Sequence, residues 1–145
     1  MARIFFERSL PADDVRHLFE LLGEDDLAGA TSGECAPPVD VIETVTSVEI
    51  LMDVAGVPPA SVKVLFSRGT ILIAGHKAAA ACEHREAAFH LAERTFGRFA
   101  RAVQLSGAFD AGRATATLAN GELRIALPRI EERRGREIRI PVTSA

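Results

Sequence analysis

Cys82, His84 and His90 fall at C-x-H-x5-H spacing in one short stretch, and thiolate and imidazole are zinc ligands. A closed zinc site wants four donors, usually in recurrent spacings. No fourth donor accompanies these three, and the spacing matches no standard structural site. They read as polar residues of an exposed loop, with no metal expected. "GTILIAGHKA" comes nearest to a phosphate-binding loop, but its glycines are misplaced and no Ser or Thr follows Lys77. It reads instead as a strand. No G-x-S-x-G, HExxH, CxxC or EF-hand pattern is present. Asp40, Glu49 and Asp53 fall where alternating strands turn to solvent, whereas acid–base work needs a shared concave site. The residues therefore point away from an enzyme and away from a cofactor.

What positions these side chains is a chain of period two. Val39 and Val41 alternate with Asp40. Val48, Ile50, Met52 and Val54 alternate with Ser47, Glu49, Leu51 and Asp53. Val62, Val64 and Phe66 follow, then Ile71 and Ile73, then Phe99, Val103 and Leu105. Ala114, Ala116 and Leu118 precede Leu123, Ile125 and Leu127. Short alternating runs broken by "AGVPP", "SRG", "SGAFDAG" and "ANGE" predict an all-β, antiparallel sandwich of immunoglobulin-like type over residues 36–128. Asn120-Gly121 predicts a type I′ hairpin, which needs positive φ at both central residues.

Two segments depart from that period. In residues 1–35, Val15, Leu18, Phe19 and Leu22 stand at i, i+3, i+4 and i+7, one face of a short helix. So short a helix is marginal alone in water and must dock on something. The arm is expected to be partly helical or disordered. The second segment is "HKAAAACEHREAAFHLAERTFG", a long connection inside a compact domain, and such loops are often functional. Its Ala-rich half has helical propensity, while Phe89 and Leu91, two apart, suit a short strand.

Composition sets the outer limits. The chain has 145 residues, 48% hydrophobic and 26% charged, with net charge −3. That suits one globular domain with appendages and gives no electrostatic case for nucleic acid. No apolar run is long enough to span a membrane, and the N-terminus lacks a signal-peptide pattern, so the cytoplasm is expected. The two cysteines, Cys35 and Cys82, are expected to be reduced thiols.

The assembled pattern resembles the small heat-shock protein family and its α-crystallin domain. "PPVDVIET", "DVAGV", "SVKVLF", "ILIAGHK", "ERTFGRFARAVQL" and "ATLANGELRIALP" follow one another in the family's order. Ala116, Asn120, Gly121 and Leu123 keep its A-x-x-x-N-G-x-L spacing, and Ile138 and Ile140 its Ile-x-Ile tail. Ala55, Ser106 and Glu122 depart from the usual residues, all at turns or exposed positions. The resemblance implies an ATP-independent holdase that binds partly unfolded proteins. It implies dimers that assemble into larger homo-oligomers. It further implies that residues 88–94 cross to a second chain and cover its sheet edge, placing Phe89, Leu91, Glu93 and Arg94 at the dimer contact. It puts Arg101 at a subunit contact, where an arginine on an apolar face needs a carboxylate partner.

The residues themselves support parts of this. Ile138 and Ile140 point to one side of an extended chain. Nine residues, 129–137, separate them from Pro128, a charged tether of ~30 Å reach. The expected receptor on a neighbouring copy is a groove lined by Val62, Val64, Phe66, Ala114, Ala116 and Leu118. Residues 129–145 thus form an extended tail. The arm offers Phe5, Phe6, Val15, Leu18, Phe19 and Leu22 as an adaptable client-binding surface. The competing reading is a monomeric sandwich co-chaperone that binds one defined partner. The Ile-x-Ile tail and the long loop argue against it, and the Cys82 loop lacks the ligands and pocket of a small metalloenzyme.

Overall fold

The computed structural model describes residues 5–7, 35–79, 84, 86–130 and 139–144. The expected helix over residues 13–22, Cys82 and Ile138 lie outside them. Eight strands are formed among the described residues: β1 (Phe5–Glu7), β2 (Val39–Glu43), β3 (Ser47–Asp53), β4 (Val62–Ser67), β5 (Thr70–Lys77), β6 (Gly97–Leu105), β7 (Thr115–Ala119) and β8 (Glu122–Pro128). They make two antiparallel sheets, ordered β1-β6-β5-β4 and β2-β3-β8-β7. Among the described residues, two short 3₁₀ turns, Pro59–Ser61 and Ala111–Arg113, interrupt the all-β pattern.

The alternation seen in the sequence becomes cross-strand ladders. Val48, Ile50 and Met52 of β3 stand opposite Leu127, Ile125 and Leu123 of β8. From the other sheet Ile71, Ile73, Phe99, Val103 and Leu105 complete one buried cluster. Cys35 belongs to this cluster, and its backbone N–H donates to Arg98 O at 3.1 Å. At the other end the sandwich extends to Ile130, whose N–H donates to Ala108 O at 2.9 Å.

The turns follow from residue chemistry. Asn120 and Gly121 have φ of 52° and 75°, the positive pair that a type I′ hairpin needs. Arg68 and Gly69, at 50° and 76°, make the same pair between β4 and β5. Asn and Gly tolerate this left-handed region, but a long side chain such as arginine is disfavoured there. Gly75 has a different reason. It stands opposite Phe99 across β5 and β6, and the fully buried Phe99 ring lies over it, filling the space a Cβ would need.

Several expectations fare differently. Phe5–Glu7, placed in the arm by sequence, is a strand paired with residues 103–105 of β6. The Ala-rich half of the long loop is not helical at its described residues 78, 79, 84, 86 and 87. It carries no apolar stripe to bury, and propensity alone does not hold so short a helix. Residues 88–94 form no strand within the single chain. A strand needs a neighbour to receive its backbone hydrogen bonds. Arg101 shares the face of Phe99 and Val103, as alternation requires. Its Nη1 donates to Pro37 O at 2.7 Å.

Candidate assembly and client-binding surfaces

β2 is held over the β6 side of the sandwich by Cys35 and Pro37, which bond to Arg98 and Arg101. The outermost strands β4 and β7 therefore close the opposite side. Val62, Val64 and Phe66 of β4 and Leu118 of β7 are partly buried and pack on the shared core. Ala116 shares the strand face of Leu118 and Ala114 precedes it by the same period, yet both are exposed. Of the six residues expected to line the groove, Val62, Val64 and Phe66 thus lie on one edge strand, and Ala116 and Leu118 on the other with Ala114 just before it.

Residues 139–144 form no strand, and Ile140 is 81% exposed. The long loop is likewise uncovered, with Phe89 84% and Leu91 75% exposed. Glu93 is exposed beside them. The Arg94 guanidinium lies 4.8 Å from the Phe96 ring centre and Lys77 Nζ lies 5.9 Å from it, so cation–π contacts brace the base of the loop. The free edge of β2 presents exposed Asp40, Ile42 and Glu43. Of the arm candidates, Phe5 and Phe6 take register positions opposite Leu105 and Gln104 of β6. Val15, Leu18, Phe19 and Leu22 fall outside the described residues.

No catalytic constellation is assembled by these elements. Among the described residues no three His, Cys, Asp or Glu side chains come together as a metal site would require. His84 and His90 are exposed. No helix among the described residues is long and apolar enough to cross a membrane.

The described residues thus form two antiparallel sheets with an exposed apolar loop and an exposed Ile140. Residues 40–143 match the Hsp20/alpha crystallin family. The chain belongs to this family. Heat shock protein 16 of Schizosaccharomyces pombe is 32% identical over 101 residues, covering 69% of this chain and 71% of that protein. Among solved structures, heat shock protein 16.0 from Schizosaccharomyces pombe matches with a TM-score of 0.63 at 28% identity, over 76% of this chain and 100% of that one. A small heat-shock protein from Xylella fastidiosa matches with a TM-score of 0.64 at 28% identity, over 75% and 99%. Hsp20-type proteins are non-enzymatic chaperones, and membership supports a chaperone role here.

Some participants escaped sequence reasoning. Arg129, where the tail begins, pairs with Glu43 at the end of β2 and lies 5.5 Å from the Phe109 ring centre. The pair is separated by more than eighty positions, so local spacing carries no signal of it. Leu72, Ala74 and Ala102 are buried outside the core cluster. Their signal was available: "TILIAG" is a continuous apolar run, the mark of a strand covered on both faces.

Proposed function

We propose that this chain is an ATP-independent holdase, which binds partly unfolded proteins and keeps them from aggregating. It works as a homo-dimer that assembles into larger homo-oligomers, in the cytoplasm, with no cofactor. The sandwich domain spans residues 36–128, the arm 1–35 and the tail 129–145. Residues 88–94 cross to a partner and pair with the free edge of β2, carrying Phe89, Leu91, Glu93 and Arg94 into the contact, with Arg101 near it. The tail places Ile138 and Ile140 in the groove between β4 and β7 of a neighbour. The arm, through Phe5, Phe6, Val15, Leu18, Phe19 and Leu22, meets clients.

The observation that carries this reading is the simultaneous exposure of Phe89, Leu91 and Ile140. A lone chain leaves these apolar groups in water, and a second copy supplies complementary edges for them. The Xylella fastidiosa relative has a distinct high-order structure, which supports assembly in this chain too. Burying the two tail isoleucines yields ~3–6 kcal/mol gross, less the ordering of the tail. One such contact is reversible, and many around an oligomer are avid.

The test is mass in solution with aggregation suppression measured without ATP, for wild type and for Ile138→Ala with Ile140→Ala. The doubly substituted chain is expected to stop at dimers. Unchanged large assemblies refute the role of the tail, and a wild-type monomer at micromolar concentration refutes the scaffold reading in favour of a one-partner co-chaperone.

A further inference from the structure

β5 is buried along both of its faces from Thr70 to Gly75. Ile71, Ile73 and Gly75 face the core. On the outer face Leu72, Ala74 and, on β6, Ala102 are 6%, 0% and 2% exposed. Register sets Leu72 between Leu65 of β4 and Ala102 of β6, and Ala74 opposite Ala100. Together they form a flat apolar shelf of two leucines and three alanines. The sheet β2-β3-β8-β7 packs against the inner face, so it is not what buries this one.

We propose that the shelf is the docking site for residues 8–34 of the same chain, seated through the stripe Val15, Leu18, Phe19 and Leu22. Three observations point to that occupant. First, both ends of the segment are fixed to β6. Glu7 stands opposite Val103, and Cys35 N–H donates to Arg98 O. Those anchors are only about 17 Å apart along the strand, far less than the segment could span, so it must double back beside this sheet. Second, a helix of about ten residues is about 15 Å long, the length of the shelf from residue 70 to 74. Third, Ala74, Ala100 and Ala102 present no bulk, which lets the face of a helix approach closely. A short helix with one apolar face gains its stability from such packing rather than from propensity. The stripe is the one proposed above to meet clients, so docking and client contact are alternative states of it, and the labelling below reads the docked state with no client present.

Thiol labelling of the full-length native protein tests it. In a Cys82→Ser background, Ala102→Cys introduces a probe on the shelf, and the buried Cys35 reports whether the fold is intact. The probe is expected to label at least tenfold faster once Leu18→Ser and Phe19→Ser make the stripe polar, with Cys35 still protected. Equal rates with and without the arm substitutions overturn the proposal. Should Ala102→Cys leave Cys35 reactive, Ala74→Cys carries the same comparison. A short bismaleimide then joins Leu18→Cys to Ala102→Cys in one chain. A cross-linked product of single-chain mass is expected. A product of two-chain mass, or none, overturns the assignment to the chain's own arm.

Discussion

Gly75→Ala adds one methyl group where the sandwich has no room for it. A Cβ at residue 75 would sit 2.7 Å from Ser61 O and 2.9 Å from Phe99 Cε1, and nearer still to Phe99 Cζ. Carbon atoms rest at about 3.5–4.0 Å, so the ring has to withdraw by roughly 1 Å. Phe99 is fully buried among Ile73, Val103 and their neighbours, and Ser61 O belongs to the backbone of a 3₁₀ turn. Neither can swing into solvent. Overpacking of this kind costs about 1–3 kcal/mol, and two rigid neighbours place the expected loss near the top, about 3 kcal/mol. For a chain of this size that lowers the melting temperature by roughly 10 °C.

Phe99→Leu removes Cε1 and Cζ while keeping the site apolar. If the ring is the obstacle, Gly75→Ala costs about 1–2 kcal/mol less in the Phe99→Leu background, because the two positions are in contact and not additive. The remainder belongs to Ser61 O. The measurement is thermal or urea unfolding of the four chains at one fixed protomer concentration, since assembly is coupled to apparent stability. An identical cost in both backgrounds, or a cost below about 0.5 kcal/mol in wild type, refutes the packing account of this glycine.

Arg68 holds φ of 50° at an exposed turn, so Arg68→Asn is expected to stabilise the fold by about 0.5–1 kcal/mol; an unchanged or lower melting temperature contradicts the strain argument. Phe89→Ser with Leu91→Ser alters two side chains that touch no core, so the sandwich should keep its stability to within about 0.5 kcal/mol. Sedimentation should instead find the dimer lost, and an intact dimer would place the subunit contact elsewhere.

The sandwich was legible because its inner residues alternate and its turns carry their own chemistry. Val48, Ile50 and Met52 announce β3, and Asn120-Gly121 announces the hairpin it forms. Alternation does not reveal the shelf: Val62, Val64, Phe66, Ile71 and Ile73 satisfy it, and Leu65, Leu72 and Ala74 fall at the positions it assigns to solvent. "SRG" marks a break but not a positive-φ pair, since arginine has no preference for that region. Alternation puts Arg101 on the face of Phe99 and Val103, but its bond to Pro37 O reaches a backbone atom, which carries no sequence signature. The grouping of β4 with β7 depends on which strands end up outermost, a property of topology rather than of spacing.

The groups proposed for assembly are separate from those that hold the fold. The buried cluster runs through Val48, Ile50, Ile73, Phe99 and Ile125, and includes none of Phe89, Leu91 or Ile140. Val62, Val64, Phe66 and Leu118, in the groove proposed for the tail, stand between the two sets, packed on the core yet only partly buried. A neighbour's tail can therefore leave the groove without opening the core beneath it. Its departure exposes a few apolar side chains, each worth about 1.5–3 kcal/mol, a small cost beside the cooperative loss of a whole sandwich. Subunits held this way exchange under conditions in which each sandwich stays folded. In the assembly proposed above, an unfolding client competes with tails and loops for surface while the domain that carries them remains intact.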